Sequence, residues 1–342
     1  MKTSAVFQLL TYVVGEEDAN DVMAHVAVDA SLLDKPVRGL ADRATIAQTL
    51  ALVLFHDLLR RVPAAKRYVH EFKPRHEKLV LDHGAVRTVK LQGMGALPCG
   101  EVAVTRLLKP LGYAFAAEYP LPALKMTGRS YRHMDFPEQI PQFFVSEILP
   151  ELFSAPFQMA VTNTFASSHD PVSDKLQSQL DALESRGVLE FHDAADVVLR
   201  VARCFDRQHE LPKFEDYTSL LDESAEMGWI ATEGNTFNHI TIRVSDVTSL
   251  HASLVEGGYA IKPEVEISSS GNVLQTALLA DSVSRRLKGA TSSYIEHTVP
   301  GSFCEFIQRK GARGNDGVER LDLGFDSGNA TAIFKMTTAA GR

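Results

Sequence analysis

The sequence predicts an α+β protein in which two βαβββ modules form a half-barrel around a metal site, with helices added at the N-terminus and between the modules. Three observations carry this prediction. The strings His83-Gly-Ala-Val-Arg87 and His239-Ile-Thr-Ile-Arg243 repeat one arrangement 156 residues apart (239 − 83), each with a His and an Arg four apart in an apolar, β-branched run. Each string is followed at a similar distance by a Glu in a second apolar run. Phe143-Phe-Val-Ser-Glu147 ends 64 residues after His83, and Glu305 of Phe303-Cys-Glu305-Phe-Ile lies 66 after His239. The strand and helix signals around both strings also fall in the same βαβββ order.

The elements follow in sequence. Residues 1–75 read as a helical segment. Met1-Lys2 and the apolar run Ser4–Val14 loosely imitate a signal peptide. A single basic residue, an internal Gln and no small-residue cleavage site before Glu16-Glu17-Asp18 make an ordinary helix the better reading. Thr45–Arg60 is a long, largely buried helix, and Pro63 marks its end. The first module spans 76–150. Strand signals at Lys78–Leu81 and Ala85–Val89 lead through a Gly-rich turn to a helix from Gly100 to Leu111, stopped by Gly112. Strands Tyr113–Tyr119, Leu124–Tyr131 and Gln142–Ile148 complete it. Residues 151–235 are a helical insertion with charged faces at Asp174–Glu184 and Ala194–Asp206 and loops at Pro171 and Pro212. The second module, 236–342, has a strand from Phe237 to Val244 and a helix from Asp246 to Glu256 ending at Gly257-Gly258. Strands near Tyr259 and at Val273–Leu279, Ser293–His297 and Phe303–Arg309 follow, then a turn into a short helix over Gly324–Phe334.

Bulk properties narrow the function. A chain of 342 residues, 45% hydrophobic and 23% charged, suits two modules around a proper core. A net charge of −8 argues against nucleic acid as the partner, since phosphate binding needs a basic footprint. Cys99, Cys204 and Cys304 are odd in number and form no CxxC, which reads as reduced thiols in a cytoplasmic protein. No run is long and apolar enough to span a membrane. Monomer and homodimer both remain open.

The chemistry lies in the repeated strings. Residues i, i+2 and i+4 of a strand share a face, so His83, Ala85 and Arg87 align, as do His239, Thr241 and Arg243. At about 3.3 Å per residue, each His and Arg lie roughly 13 Å apart, which suits a metal at one end of a small substrate and an Arg gripping a carboxylate at the other. His83, His239 and Glu305 make a two-His, one-carboxylate set that leaves three positions open and suits Fe(II) used for oxygen chemistry. A lone strand His is more often a packed residue than a ligand. Two at equivalent repeat positions, with a Glu inside an apolar run where burial is unfavourable unless it is paired, reverse that reading. Glu147 reads as the repeat-mate of Glu305 and a relic of the duplication, held by a hydrogen bond or salt bridge.

Other motifs carry less. Gly93-Met-Gly95-Ala-Leu-Pro98 begins like a dinucleotide fingerprint but has Pro at the third-Gly position, so it reads as a turn. There is no H-E-x-x-H, G-x-S-x-G or P-loop. His25, His56, His70 and His76 read as structural or exposed, and His133, His169, His192, His209 and His251 have no partner pattern. His297 falls just before the turn into the Glu305 strand.

Phe303-Cys-Glu-Phe-Ile-Gln-Arg309 and the later Gly-Asn-containing run resemble the C-terminus of 4-hydroxyphenylpyruvate dioxygenase, where a Glu in an E-x-x-Q-R-type strand ligates iron. The chain as a whole is more similar to the 2-oxoadipate dioxygenase/decarboxylase, or hydroxyglutarate synthase, family of the vicinal-oxygen-chelate superfamily, which includes glyoxalase. His83–Arg87 matches its H-G-A-x-R strand, Asn238–Arg243 its N-H-x-T-x-R strand, Gln275–Asp281 its Q-[ST]-rich strand running into A-D, and Pro300–Phe306 its P-G-S-x-x-E-F strand. The similarity covers most of residues 75–335.

The resemblance implies that His83, His239 and Glu305 bind Fe(II), with Zn, Ni or Mn able to replace it in a purified sample, and that Arg87 grips the substrate. The implied partners are a small 2-oxo acid and O2, with no nucleic acid and no membrane. The implied reaction converts 2-oxoadipate to 2-hydroxyglutarate and CO2, as in lysine degradation. Gln275 and Ser282 would hydrogen-bond substrate, orient a ligand or serve structure alone. Arg243 would serve the same pocket or a core ion pair. The alternatives are a glyoxalase-like isomerase or lyase using Zn, Ni or Mn without O2, and a non-catalytic small-molecule binder, which would usually have lost a ligand.

Overall fold

The computed structural model describes residues 4–35, 39–72, 77–290, 293–313, 317, 319–326 and 328. A short strand, Leu40–Asp42 (β1), precedes the first module, whose strands are Val80–Val89 (β2), Tyr113–Leu121 (β3), Met126–His133 (β4) and Gln142–Ile148 (β5). Val188–Glu190 (β6) lies in the central helical region and pairs with β1. The second module contains His239–Arg243 (β7), Glu266–Ile267 (β8), Val273–Ala277 (β9), a hairpin of Ser282–Lys288 (β10) and Tyr294–Pro300 (β11), and Phe303–Arg309 (β12). Helix Val102–Leu108 follows β2 and helix Val247–Glu256 follows β7, so βαβββ occurs twice.

The two modules share one eight-stranded sheet in the order β3-β4-β5-β2-β7-β12-β9-β8, curled into a half-barrel. β2 and β7 meet antiparallel at its centre, and each has a parallel neighbour from its own module, β5 and β12 respectively. The order reads alike outward from the centre in both directions, as the duplicated strings predicted. β2 is buried along almost its whole length because both faces of the sheet are covered there.

Helices Ala5–Val14, Arg43–Arg61 and Phe191–Cys204 form the cover on the outer face. Their apolar sides join Val86, Val145, Ile240, Ile242 and Phe306 of the sheet in one core. The long helix starts where Asp42 accepts the Thr45 N–H at 2.8 Å, an N-cap that satisfies one of its free donors. No described helix is long and apolar enough to cross a membrane.

The sequence placed Ser293–His297 among the strands of the second module. In the structure these residues run into β11, in a two-stranded ribbon that leaves the sheet, and β8 takes the edge position. The reason lies in the burial pattern. β10 and β11 bury little beyond Leu287 and Val299, so the ribbon is solvated on one side and leans its other side on the helical insertion. A bidentate pair from Arg285 to Glu233, at 2.7 and 2.9 Å, fixes it there. Of the helix expected over Gly324–Phe334, most lies outside the described residues.

Gly84 explains the glycine of the first string. A Cβ built there would lie 2.2 Å from the ring of Phe237, which is packed edge-on against Phe143 and Phe205. The Phe237 ring therefore rests directly on the backbone of β2, one residue before Asn238 and two before His239. Gly84→Ala is expected to destabilise the fold by roughly 1–3 kcal/mol through overpacking, measured by denaturant unfolding. An unchanged midpoint would show that Phe237 has room to move.

Candidate metal centre

The registers of three strands bring the predicted ligands together. In the β2–β7 pair, His83 faces Thr241 and Ala85 faces His239; in the β7–β12 pair, Thr241 faces Glu305. The alternation of each strand turns His83, His239 and Glu305 to one face. Glu305 Oε2 lies 3.5 Å from His83 Nε2 and 3.6 Å from His239 Nε2, and the three ligand atoms sit within 4.8 Å of one another. The residues are only 3%, 6% and 1% exposed, so the cluster is buried.

Both imidazoles are oriented by the residue before them. His83 Nδ1 is 2.9 Å from Asp82 Oδ1, and His239 Nδ1 is 3.1 Å from Asn238 Oδ1. Donation from each Nδ1–H to a side-chain oxygen leaves both Nε2 atoms as acceptors on the site side, the usual arrangement behind a metal-bound His, with the Thr241 hydroxyl 3.0 Å from His83 Nε2. The register shift between Leu81 and His83 is a bulge that lets Asp82 reach back to its neighbour. Burial pushes the Asp82 carboxyl up, but the Arg309 charge and the His83 hydrogen bond bring it well below its usual range. Burial, with His83 and Arg87 nearby, pushes His239 well below its ordinary value and keeps it neutral.

These residues fit a divalent cation. His239 Nε2 and Glu305 Oε1 are buried and have no hydrogen-bond partner in the protein. Orphaned acceptors of this kind are costly to bury, and a cation between them satisfies both. Burial pushes the Glu305 carboxyl up despite His83 and the Thr241 hydroxyl, which donates to Oε2 at 2.6 Å. Two imidazoles and a carboxylate form a site with coordination positions left for substrate.

The pocket beside the cluster contains Arg87 and Gln275, with Phe144, Ser146 and Phe325. Arg87 is 1% exposed and places its guanidinium 5.1 Å from the Trp229 ring centroid, a cation–π contact from the helical insertion. Burial lowers its pKa to about 10, with the Glu226 charge opposing. Gln275 projects from β9 and donates to Glu266 Oε2 at 3.5 Å.

Arg243 and Ser282 are not brought to this pocket. Arg243 donates to Asp82 Oδ2 at 3.0 Å and to the Glu138 carbonyl at 3.4 Å, the ion-pair alternative for that residue. In an antiparallel β2–β7 pair the two Arg residues run to opposite ends of the site. Ser282 is exposed at the start of the β10–β11 ribbon, outside the sheet.

Glu147 is not the positional mate of Glu305. Glu305 lies beside the residue two beyond His239, and the corresponding neighbour two beyond His83 is Phe144. Glu147 pairs with Thr88 and faces the other way, accepting from the Glu101 N–H at 3.0 Å and from Arg129 at 3.3 Å. The expectation that a hydrogen bond or salt bridge holds it does agree with this geometry.

Sequence reasoning missed Asp82, Asn238 and Arg309 as parts of the site. The signal was present as an oxygen-bearing side chain immediately before each repeated His, which extends both strings by one residue. Among the other histidines, His25 and His70 gather around Asp21 on the helical cover, where His25 Nδ1 is 2.8 Å from the Asp21 carbonyl. His297 packs against Phe214 and Tyr217, away from the centre. His76 lies outside the described residues.

A half-barrel of paired βαβββ modules around a buried His-His-Glu cluster defines a protein of the glyoxalase superfamily. Within it, the chain belongs to the 2-oxoadipate dioxygenase/decarboxylase family, whose profile matches residues 49–335. A glyoxalase-superfamily protein from Ralstonia eutropha is 46% identical, with a TM-score of 0.89 over 94% of this chain and 98% of that one. The hydroxyglutarate synthase of Oryza sativa, solved with 2-oxoadipate, shares the fold at 20% identity and a TM-score of 0.65, covering 90% of this chain and 98% of its own. That of Pseudomonas putida, also solved with 2-oxoadipate, shares it at 16% identity and a TM-score of 0.57, covering 89% and 75%. No curated protein matches the chain at a significant level.

Proposed function

We propose that this chain is an Fe(II)-dependent oxygenase that oxidatively decarboxylates a small dicarboxylic 2-oxo acid, with 2-oxoadipate as the substrate. The balance is 2-oxoadipate plus O2 giving 2-hydroxyglutarate plus CO2. The observation that supports it most is that one buried pocket holds both the His-His-Glu cluster and the Arg87 guanidinium, four residues apart on β2. Family membership and the 2-oxoadipate complexes of the rice and Pseudomonas enzymes point the same way.

His83, His239 and Glu305 would hold the iron, which when bound supplies a Lewis-acidic centre for a 2-oxo carboxylate and the redox chemistry for O2. Arg87 grips the distal carboxylate through two parallel N–H bonds, for which its planar fork is suited. Ser146 and Gln275 offer hydrogen bonds along the chain of the substrate. Phe144 and Phe325 line the remaining wall and exclude water, which strengthens each charge interaction inside. Asp82 and Asn238 hold the imidazoles at a fixed angle throughout.

O2 uptake by anaerobically Fe(II)-loaded protein, measured against 2-oxo acids of graded length, tests this. Uptake with matching CO2 release is expected, greatest with 2-oxoadipate. A flat response across the series would overturn the oxygenase assignment in favour of a metal-dependent isomerase or lyase.

A further inference from the structure

Arg309 ends the E-x-x-Q-R run of β12, and its side chain is fully buried. Its guanidinium faces two ways. Nε and Nη2 donate to the two oxygens of Asp82, each at 2.8 Å. Nη1 donates to the carbonyls of Asp322 and Gly324, each at 2.7 Å. Four of the five N–H donors of an arginine are thus engaged.

The carbonyls belong to a strap, Asp322–Asp326, whose Phe325 and Asp326 line the pocket. Its Phe325 ring sits 4.7 Å from the His83 ring, 5.0 Å from Phe144 and 5.2 Å from the Arg309 guanidinium. The strap is also held by Arg132, which donates to the Leu323 carbonyl at 2.7 Å, and by Tyr119, whose hydroxyl accepts the Phe325 N–H at 3.2 Å.

We propose that Arg309 is a positioning residue that couples the alignment of His83, through Asp82, to closure of the Asp322–Asp326 strap over the pocket. Opening the strap removes both carbonyl acceptors from a buried guanidinium. Arg309 must then either stay under-satisfied or follow the strap and release Asp82, whose remaining cationic partner is Arg243 at 3.0 Å. Either course links the two ends of the network energetically. Linkage is reciprocal, so a cation on His83 favours the closed strap and a closed strap tightens the hold on that cation. Lys cannot replace Arg309, because one ammonium cannot chelate Asp82 and cap two carbonyls beyond it.

The inference rests on the His-His-Glu cluster being a metal site, and is independent of the oxygen chemistry. Its test uses Co(II) alone, with no substrate. Affinity is read from the Co(II) absorption band and strap protection from hydrogen exchange over residues 322–326. In the unmodified chain Co(II) is expected to slow exchange at Phe325. In Arg309→Lys the Co(II) affinity falls about 10-fold, the size of effect expected for an outer partner of a ligand, and strap exchange no longer responds to Co(II). Tyr119→Phe loosens the strap without touching Asp82 and weakens Co(II) binding by a smaller factor. Wild-type affinity in both variants overturns the coupling, as does an undiminished Co(II) effect on strap exchange in Arg309→Lys. Should Arg309→Lys not fold, the Tyr119→Phe affinity decides alone. An unmodified chain that binds no Co(II) overturns the metal centre and the coupling together.

Discussion

Glu305→Gln is expected to abolish tight binding of a divalent metal while raising the melting temperature of the metal-free protein. The two effects have one cause. Glu305 is a fully buried carboxylate whose charged form is disfavoured by burial, and its Oε1 has no partner in the protein. An uncompensated buried charge is expensive, whereas an amide of the same shape keeps the 2.6 Å bond from Thr241 and loses the charge. The metal-free fold therefore gains. The same change removes the only anionic ligand, so affinity falls by more than the roughly 10- to 100-fold typical of losing an outer partner.

Thermal unfolding with and without added Co(II) separates the two effects. A ligand at 1,000 times its Kd stabilises a fold by about 4 kcal/mol, so the unmodified chain shows a large metal-dependent shift and Glu305→Gln shows none. His83→Ala and His239→Ala lose the shift as well, without the gain in the metal-free state, because neither removes a buried carboxylate. A variant of any of the three that keeps the full metal-dependent shift would remove that residue from the ligand set.

The three residues of the cluster were legible because they depend on short-range order. Period-two alternation and a repeated His-x-x-x-Arg string are enough to set His83 and His239 on facing strands, and a Glu inside an apolar run marks itself. What failed depended on strand pairing at long range. Arg87 and Arg243 look equivalent in sequence, but their strands pair antiparallel, so one reaches the pocket and the other Asp82. Glu147 was matched to Glu305 by counting residues, and counting does not see which residue lies beside which across β2 and β5. Ser282 was offered as a substrate or ligand-orienting residue just past the Gln275 strand, but one-sided burial sends β10 into a ribbon on the helical insertion. Asp82 acts through a bulge, and a single extra residue in one strand leaves no mark on hydropathy.

Arg87→Met is expected to lower kcat/KM for 2-oxoadipate by roughly 100-fold or more, which is about 2.7 kcal/mol or above. Loss of one partner from a buried, hydrogen-bonded charge pair typically costs 2–5 kcal/mol, and Arg87 is buried deeply enough for that range to apply. The shape of the loss is more telling than its size. A 2-oxo monocarboxylate of the same length has no distal charge for Arg87 to grip, so its kcat/KM should change little, and the preference of the enzyme for a dicarboxylate should collapse. Arg87→Lys is expected to resemble the Met variant more than the parent. An ammonium cannot make the two parallel bonds to a carboxylate, and it has no planar group to set against the Trp229 ring, whose centroid lies 5.1 Å from the guanidinium. Metal affinity should stay near the parent value in Arg87→Lys, which keeps the positive charge beside His239, and should not fall in Arg87→Met, which removes a cation's repulsion from the site. Equal losses on the dicarboxylate and the monocarboxylate would instead make Arg87 a structural cation of the Trp229 and Glu226 wall, and the reading of substrate length would pass to other residues of the pocket.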